Sequence, residues 1–369
     1  MKIAFCIKSL EGNGGGAERV LTAIMSALAK LGHDVTVFTF DRAGFETFYE
    51  LDHRVLRVGL SRSASLTAMT PNDFVYTLRA FRRHIAGQFD VAVGFMHSTY
   101  VPLSLALIGS RTSVISSEHT TASHFKDRRL ESILAMLAQK LSFAKTVVST
   151  AVRDEHNASG QKNLVVLPNP VDIERYAPAK DIAPEKVILC VGGFRTEKNQ
   201  SMLVAAFERI AARLPDWRLR LVGDGPTWAT IKEQVEKSNF VDRIEMPGAL
   251  RNVPAEYSRA ALVVIPSHYE SLSMVAVEAM ASGRPVLAFS DCAGPSALIE
   301  SGKNGVLVAP GDDREASLAK AIERILNDPE ARAQIASNAP AMVSDYSIER
   351  IAVQWEALLK SATREKSVA

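Results

Sequence analysis

The chain alternates short, wholly apolar runs with longer amphipathic stretches. The clearest amphipathic stretch, 17–31, repeats apolar residues at helical spacing and is followed by Gly32, a common helix stop. Apolar runs without polar alternation are typical of parallel strands that are buried on both faces. In the first half of the chain they predict strands at 3–7, 35–40, 55–58, 91–95, 113–117, 146–149 and 164–167.

A second series of the same kind begins after residue 172. It predicts strands at 187–191, 219–222, 244–246, 262–265, 285–289 and 306–308. It also predicts helices at 200–214, 227–237, 274–281, 314–326 and 329–343. Between the two series, the segment 168–184 contains four prolines and little periodicity, so we place a domain boundary there.

Alternating strands and helices predict an α/β fold with two Rossmann-like, doubly wound domains that face each other across a crevice. We assign residues 1–170 to the first domain and 171–345 to the second. In the remaining segment, 346–369, Ile351, Trp355, Leu358 and Leu359 predict a helix that packs back on the first domain. Ligands of such folds bind beyond the carboxyl ends of the strands.

Composition excludes several classes of protein. The chain has 369 residues, 47% of them hydrophobic, and its formal net charge of +2 gives no indication of nucleic-acid binding. Three widely spaced cysteines (Cys6, Cys190 and Cys292) predict no disulfide framework and favour a reducing, cytoplasmic location. We expect neither a signal peptide nor a membrane-spanning segment, so that any membrane association would be peripheral.

Two glutamates in the second domain are the most informative feature of the sequence. Glu270 follows the apolar run 262–265, and Glu278 lies eight positions later in a predicted helix. The first carboxylate would lie in a strand-to-helix loop and the second about one turn inside the helix. Carboxylates accept hydrogen bonds from hydroxyls, and a helix N-terminus attracts anions. The pair therefore predicts a site for a sugar, a ribose and the diphosphate that joins them.

A glycine-rich loop, 12–16, separates the first strand from the first helix. Glycines such as Gly15 and Gly16 allow backbone N–H groups to approach a phosphate at the helix N-terminus. A tight turn that needs glycine for geometry alone is the alternative. The loop also fits a loose dinucleotide fingerprint, with Asp41 at the end of the second strand, which keeps a dinucleotide-dependent oxidoreductase open as a rival.

The corresponding loop of the second domain carries two cations, Arg195 and Lys198. Together they could neutralise a diphosphate leaving group. The alternative is a surface ion pair with Glu197. The position of the loop, between a strand and a helix, favours the phosphate interpretation.

His119 follows a strand of the first domain and is a candidate catalytic or sugar-contacting residue, whereas a histidine that caps a backbone group is the alternative. We interpret its neighbour Glu118 as structural. The next cluster contains Lys126, Arg128 and Arg129, which could bind anionic lipid headgroups or a lipid-linked pyrophosphate. Such clusters are more often solvated helix faces. Spacings typical of metal ligands or of a nucleophile elbow do not occur in the sequence.

Taken together, these motifs resemble the retaining glycosyltransferases of family 4, which use nucleotide sugars and have the GT-B arrangement of two Rossmann-like domains. The resemblance runs from end to end, and the glutamate pair is its most specific part. It rests on residues 14–19, 168–172, 195–199, 223–225, 270–278 and 304–308.

The resemblance implies a role for each motif. Glu278 would bind the ribose hydroxyls, and Glu270 would bind hydroxyls of the donor sugar. Backbone around Leu250 would hold the base, Gly15 and Gly16 would close over the phosphates or the acceptor, and His119 would approach the donor sugar. The donor diphosphate would be held by the side chains of Arg195 and Lys198 and by the backbone amides of Ser271, Leu272 and Ser273.

The resemblance also implies a reaction class. A UDP-sugar would donate a hexose or N-acetylhexosamine to a glycan acceptor carried on a lipid pyrophosphate, at the inner face of the membrane, with no cofactor and no metal. The first domain would then bind the acceptor and the second domain the nucleotide sugar. Ser271 departs from the glycine usual after the first glutamate, which could alter the fit of the donor sugar, and Pro170 replaces another common glycine. A sugar-binding protein without enzymatic activity is a further rival.

Overall fold

The computed structural model describes residues 1–11, 15–60, 70–120, 128–158, 164–178 and 183–364. The chain divides into two compact units. The first comprises Met1–Pro170 together with the segment that begins at Ile348, and the second comprises Val171–Ser347.

The first unit is built on a parallel sheet of seven strands in the order β3-β2-β1-β4-β5-β6-β7. Its strands are β1 (Lys2–Cys6), β2 (Asp34–Thr39), β3 (Leu56–Gly59), β4 (Val91–Phe95), β5 (Ser113–Glu118), β6 (Ala144–Val147) and β7 (Leu164–Val166). Its helices are α1 (Gly16–Lys30), α2 (Pro71–Ile85), α3 (His97–Ala106), α4 (Arg129–Leu141), α5 (Thr150–Ala158) and α13 (Ile348–Arg364).

The second unit repeats the architecture with six parallel strands in the order β10-β9-β8-β11-β12-β13. Its strands are β8 (Val187–Val191), β9 (Arg218–Val222), β10 (Ile244–Gly248), β11 (Leu262–Ile265), β12 (Val286–Phe289) and β13 (Gly305–Val308). Its helices are α6 (Gln200–Ala211), α7 (Trp228–Glu236), α8 (Val253–Arg259), α9 (Met274–Ala281), α10 (Ala293–Leu298), α11 (Arg314–Leu326) and α12 (Pro329–Met342).

Alternate residues of each central strand face opposite cores, which explains the wholly apolar runs. In β11, Leu262 and Val264 belong to one buried cluster, whereas Val263 and Ile265 belong to the other. Both faces of the sheet are therefore covered, as is usual for parallel sheets. The two Rossmann-like α/β units predicted from the sequence are confirmed.

The order of the strands reverses in the middle of each sheet. In the first sheet, β1 pairs with β2 on one side and with β4 on the other, and Ile3 lies opposite both Val35 and Val91. In the second sheet, β8 lies between β9 and β11. Loops that leave the carboxyl ends of such central strands diverge and form a crevice for ligands.

Strand β6 differs from the sequence prediction. We expect a strand at 146–149, but it spans Ala144–Val147, two residues earlier. The difference arises because Lys145 is fully buried inside the strand, and a lysine in that position interrupts the apolar pattern on which the prediction rests.

Helix α13 belongs to the first unit and is held there by both packing and polar contacts. Trp355 is buried against Phe5 and Phe95, with ring centroids 6.3 and 6.1 Å away. The Glu356 Oε1 lies 3.0 Å from the Nε2 of His33. The Ser113 hydroxyl donates a hydrogen bond of 2.6 Å to the Ala362 carbonyl.

Candidate active site

Two central strands of the second sheet carry the predicted donor-site residues. Lys198 follows β8, and Glu270 follows its neighbour β11. Their loops leave adjacent strands at the same edge of the sheet, where the strand order reverses. This topology brings together two groups that are 72 positions apart in the chain: the Lys198 Nζ lies 2.9 Å from the Glu270 Oε1.

The Glu270 side chain is almost fully buried and is fixed by its own loop. Its Oε1 accepts a hydrogen bond of 2.9 Å from the Ser267 hydroxyl, in addition to the Lys198 contact. The Gly294 N–H donates to the Glu270 carbonyl at 3.0 Å. A Cβ at Gly294 would lie 2.8 Å from that carbonyl oxygen, so α10 can approach the loop this closely only with glycine there.

The N-terminus of α9 separates Glu270 from Glu278. Ser273 is the N-cap of the helix, and its hydroxyl accepts from the Ala276 N–H. In the part of the chain that the structure describes, the N–H groups of Leu272 and Ser273 donate no hydrogen bond. Unengaged amides at a helix N-terminus are suited to bind an anion.

Glu278 lies one turn inside α9 and is 2% exposed. Its Oε2 accepts a hydrogen bond of 2.8 Å from the Tyr257 hydroxyl on α8. Burial and this partner hold the carboxylate in one position. Leu250, the residue predicted to lie near the base, follows β10 and packs partly buried against the same cluster as Tyr257.

The loop that carries Arg195 is fixed by two glycines of the next loop. Cβ atoms at Gly223 and Gly225 would lie 2.0 and 2.5 Å from the carbonyl oxygens of Gly192 and Phe194. Both glycines have a positive φ, so a larger residue would be both strained and blocked. The predicted alternative, an ion pair between the cations and Glu197, is wrong for Lys198, which pairs with Glu270. Arg195 is exposed and makes no ion pair with the described residues.

His119 lies beyond the end of β5 in the first unit. Its ring stacks on Phe95 with centroids 4.4 Å apart, and its Nε2 lies 3.0 Å from the Ser117 hydroxyl. Burial lowers its pKa to about 4, although Glu118 and a hydrogen bond with Asn169 act in the opposite direction. The imidazole is therefore neutral at physiological pH and can exchange hydrogen bonds with a sugar hydroxyl.

Glu118 is structural, as the sequence indicates. It is fully buried, and its Oε1 accepts from the His119 N–H, the Thr120 N–H and the Thr120 hydroxyl at 3.0, 2.9 and 2.7 Å. Its Oε2 accepts from the Tyr100 hydroxyl at 2.6 Å. The carboxylate thus fixes the backbone on both sides of the His119 α-carbon.

Lys145 and His156 complete this buried cluster, and sequence reasoning missed both. Lys145 lowers the pKa of Glu118 against the opposing effect of burial, and its Nζ lies 5.7 Å from the centre of the Tyr100 ring. Burial is the largest cause of the lowered pKa values of Lys145 and of His156, the latter to about 4. A lysine inside an apolar run, 143–148, is the sequence signal that could have revealed Lys145 as a buried member of this cluster.

The glycine-rich loop is described only from Gly15 onwards. Gly15 is the N-cap of α1 and Gly16 its first residue. A Cβ at Gly15 would lie 2.4 Å from the Glu18 carboxylate, whereas a Cβ at Gly16 would meet no atom of the described residues within 4 Å. Gly16 therefore leaves open space at the helix N-terminus, which is what the approach of a phosphate or an acceptor requires.

Asp41 does not have the role that the dinucleotide rival needs. It is buried, and its two oxygens accept from the Ser9 hydroxyl at 2.5 Å and from the Leu10 N–H at 2.8 Å. A carboxylate occupied by its own β1 loop has little capacity left for ribose hydroxyls. The dinucleotide-dependent oxidoreductase therefore loses Asp41, the second sequence feature that supported it.

The basic cluster is described only in part. Lys126 lies outside the described residues. Arg128 is exposed at the N-cap of α4 and pairs with Glu131 at 3.3 Å, and Arg129 is exposed at the first position of the helix. Within the described ranges, no helix is both long and apolar enough to cross a bilayer, and no group of three or more His, Cys, Asp or Glu could hold a metal ion.

The two depressed histidine pKa values predict acid sensitivity of the first unit. Histidines of the unfolded chain titrate near 6.5, whereas His119 and His156 titrate at about 4 when folded. Between these values the unfolded state binds more protons, so the free energy of unfolding falls as pH decreases from 6.5 towards 4. Urea unfolding at several pH values should show this slope, and His156→Leu should reduce it. Identical slopes in both proteins would contradict the assignment, and unfolding of the variant at pH 7.5 controls for its folding.

The architecture has close counterparts among solved structures. HepE of Anabaena, solved in complex with UDP, superimposes with a TM-score of 0.82 over 98% of this chain and 100% of that chain, at 24% identity. A sucrose-phosphate synthase from Thermosynechococcus elongatus gives a TM-score of 0.84 over 98% of both chains, at 23% identity. The fold is that of the GT-B glycosyltransferases.

The chain belongs to the family 4 glycosyltransferases. The family model described as Glycosyltransferase Family 4 matches residues 14–175, and the model described as Glycosyl transferases group 1 matches residues 172–342. The predicted resemblance is thereby confirmed, and the chain is a glycosyltransferase rather than an oxidoreductase or a sugar-binding protein.

Two curated relatives align over almost the whole chain. An uncharacterized glycosyltransferase of Haemophilus influenzae is 26% identical over 97% of this chain and 99% of its own length. An enzyme of Campylobacter jejuni is 27% identical over 97% of this chain and 98% of its own length. It is named as the α-1,4-N-acetyl-D-galactosaminyltransferase that acts on GalNAc-α-(1→4)-GalNAc-α-(1→3)-diNAcBac-PP-undecaprenol.

Proposed function

We propose that this glycosyltransferase moves a hexose or N-acetylhexosamine from a UDP-sugar to a glycan acceptor carried on a lipid pyrophosphate, with retention of anomeric configuration. The observation that carries the proposal is the set of groups at the switch point of the second sheet. There, Glu270 and Glu278 flank the N-terminus of α9, and Lys198 lies within 2.9 Å of Glu270. This combination suits a sugar, a diphosphate and a ribose in succession.

The donor half of the site has a role for each described residue. Glu278, held by Tyr257, accepts from the ribose hydroxyls. The amides of Ser271, Leu272 and Ser273 bind the diphosphate at the helix N-terminus, with Arg195 and Lys198 supplying positive charge. Leu250 contacts the base. UDP is the nucleotide we favour, because HepE has been solved with UDP and with UDP-glucose.

Glu270 binds hydroxyls of the donor sugar and does not act as a nucleophile in this proposal. Its Oε1 already accepts from Ser267 and faces the Lys198 ammonium, which stabilises the carboxylate but reduces its nucleophilicity. In the reaction, the bond from the sugar C1 to the UDP oxygen breaks and the bond from C1 to the acceptor oxygen forms on the same face. The departing β-phosphate oxygen takes the acceptor proton.

Positive charge for the leaving group comes from the protein in this scheme, so we propose that no metal is required. Lys198, Arg195 and the α9 N-terminus supply it. Turnover that is unchanged by a chelator would support this part of the proposal, whereas activity lost on chelation and restored by a divalent cation would overturn it.

The acceptor half is assigned to the first unit. Neutral His119 contacts the donor sugar or the attacking hydroxyl, Gly16, next to Gly15, leaves room at the α1 N-terminus, and Lys126, Arg128 and Arg129 bind the lipid-linked pyrophosphate. The name of the Campylobacter relative, which includes an undecaprenol-pyrophosphate acceptor, supports this class of acceptor. We place the enzyme in the cytoplasm, peripheral on the inner face of the membrane. Cys6, Cys190 and Cys292, all buried free thiols, are consistent with a reducing location.

A screen of nucleotide sugars tests the proposal. Slow hydrolysis of one UDP-sugar, with release of UDP, is expected even without acceptor, and calorimetry should detect binding of UDP but not of NAD. Hydrolysis confined to sugars linked to another nucleotide would refute the choice of donor. Once an acceptor is found, the proton NMR coupling of the new linkage reports the anomer, and an inverted product would refute retention.

A further inference from the structure

Helix α4 carries a stripe of exposed, large aliphatic side chains. Leu130, Ile133, Leu137 and Leu141 are 70, 56, 45 and 40% exposed. Their spacing of three, four and four residues places them on one face of the helix. Isolated exposed leucines are common on protein surfaces, but a continuous aliphatic stripe along a whole helix marks an interaction surface.

The orientation of α4 is the reverse of that of an ordinary surface helix. Its buried residues are the small Ala135 and Ala138, which pack in one cluster with Tyr100 and Val101 of α3. In α1, by contrast, the large side chains such as Leu21 and Ile24 are the buried ones. The fold therefore uses the small face of α4 for its own core and leaves the large aliphatic face to another partner.

The charges of α4 indicate which partner. Three basic residues (Arg128, Arg129 and Lys140) and one acidic residue (Glu131) lie on the helix or at its N-cap. Arg128 pairs with Glu131, whereas Arg129 and Lys140 form no ion pair with any residue that the structure describes. At 100° per residue, Arg129 and Lys140 flank the Ile133 side of the stripe. An aliphatic face bordered by unpaired cations is typical of helices that lie in the surface of an anionic bilayer.

We propose that α4 is the membrane-docking element of this protein. Its aliphatic stripe enters the boundary between headgroups and acyl chains of an anionic bilayer. Arg129 and Lys140 then lie at the level of the lipid phosphates, where Arg129 also reaches the pyrophosphate of the acceptor. A second copy of the chain fits less well, because pairing two stripes would bring these cations together without acidic partners.

This docking mode rests on the proposed function in one respect, because it takes the acceptor to be lipid-linked. The chain runs from β5 and His119 to the N-terminus of α4, so α4 starts from the sheet edge at which His119 lies. Docking of α4 would hold that edge of the first unit close to the bilayer surface, where a lipid-linked pyrophosphate is found.

Sedimentation with vesicles tests the proposal. The wild-type chain should bind vesicles of phosphatidylcholine mixed with phosphatidylglycerol, and the double variant Ile133→Ser/Leu137→Ser should lose at least about tenfold in partition coefficient. Lys140→Gln should lose about fivefold and reduce the salt dependence. Val353→Ser, at a 58% exposed position of α13, is the matched control and should bind like the wild type.

Three results would overturn the proposal. The first is equal vesicle binding by the wild type and the double variant, and the second is no binding by the wild type. The third is a dimer of the wild type, seen by light scattering, that the double variant loses, since the stripe would then be a contact between copies. Hydrolysis of the UDP-sugar in the absence of vesicles should be the same in both proteins. If no UDP-sugar is hydrolysed but the vesicle results hold, the proposed function fails and the docking surface stands.

Discussion

Glu270→Gln is expected to lower kcat/KM for sugar transfer on the order of 10²-fold. The substitution keeps the shape of the side chain but removes the charge that faces Lys198 at 2.9 Å. It also replaces one hydrogen-bond acceptor for sugar hydroxyls by a donor. The measurement is steady-state transfer or donor hydrolysis, together with calorimetry of UDP binding. The affinity for UDP should be retained, because the residues that bind ribose and diphosphate are unchanged.

A double-mutant cycle makes this prediction sharper. Lys198→Met should also reduce turnover, and the double variant should lose less than the two single losses combined, because the residues act on one another. Glu300→Gln is the control, since its ion pair with Lys303 is exposed. Unchanged turnover in Glu270→Gln would remove Glu270 from the reaction, and strictly additive losses would show that the Lys198 contact has no functional weight.

Lys145→Met is expected to lower the free energy of unfolding by about 3 kcal/mol, because it leaves the buried Glu118 carboxylate without its cation. Glu118 keeps its hydrogen bonds from Tyr100 and Thr120, which prevents a larger loss. Chemical denaturation measures the change. Lys186→Met, which breaks only the exposed ion pair with Asp216, should leave the free energy of unfolding close to that of the wild type.

Restoring charge balance should reverse much of this loss. In the double variant Glu118→Gln/Lys145→Met neither member of the pair is charged, and the glutamine oxygen can still accept from Thr120. We therefore expect a stability above that of Lys145→Met alone. A double variant that is less stable than either single variant would contradict the coupling. Because Glu118 fixes the backbone at His119, stability restored without transfer activity would indicate that this carboxylate positions the histidine.

The sequence was sufficient for elements whose pattern is simple. Strands such as β4, β8 and β11 are wholly apolar, so their ranges were predicted without error. Helix α9 was predicted with its observed ends, because Ser273 caps it and Gly283 follows it. The amphipathic helix α11 also has its predicted range, 314–326. One or both ends of α1, α6, α7 and α12 differ from the prediction by one to three residues, since helix ends depend on local hydrogen bonds.

Other elements left no usable pattern. Helix α3 is buried on most sides and contains Pro102, so it shows no apolar face, and α4 presents its apolar face to the outside. Neither was predicted. For the site, the sequence indicates which residues bind the donor but not which of them contact each other. Lys198 contacts Glu270 because β8 and β11 are adjacent in the sheet. The hydrophobic pattern gives the positions of strands but not their order.

The return of α13 to the first unit has a consequence for biosynthesis. Trp355 packs on Phe95, and Phe95 in turn stacks on His119, yet Trp355 is translated after the whole of the second unit. While the ribosome synthesises Val171–Ser347, the core beneath His119 therefore lacks a large aromatic side chain. The first unit therefore stays incompletely packed until the second unit has been synthesised. A chain that ends before Ile348 would lack Trp355, which packs on the Phe95 ring beneath His119.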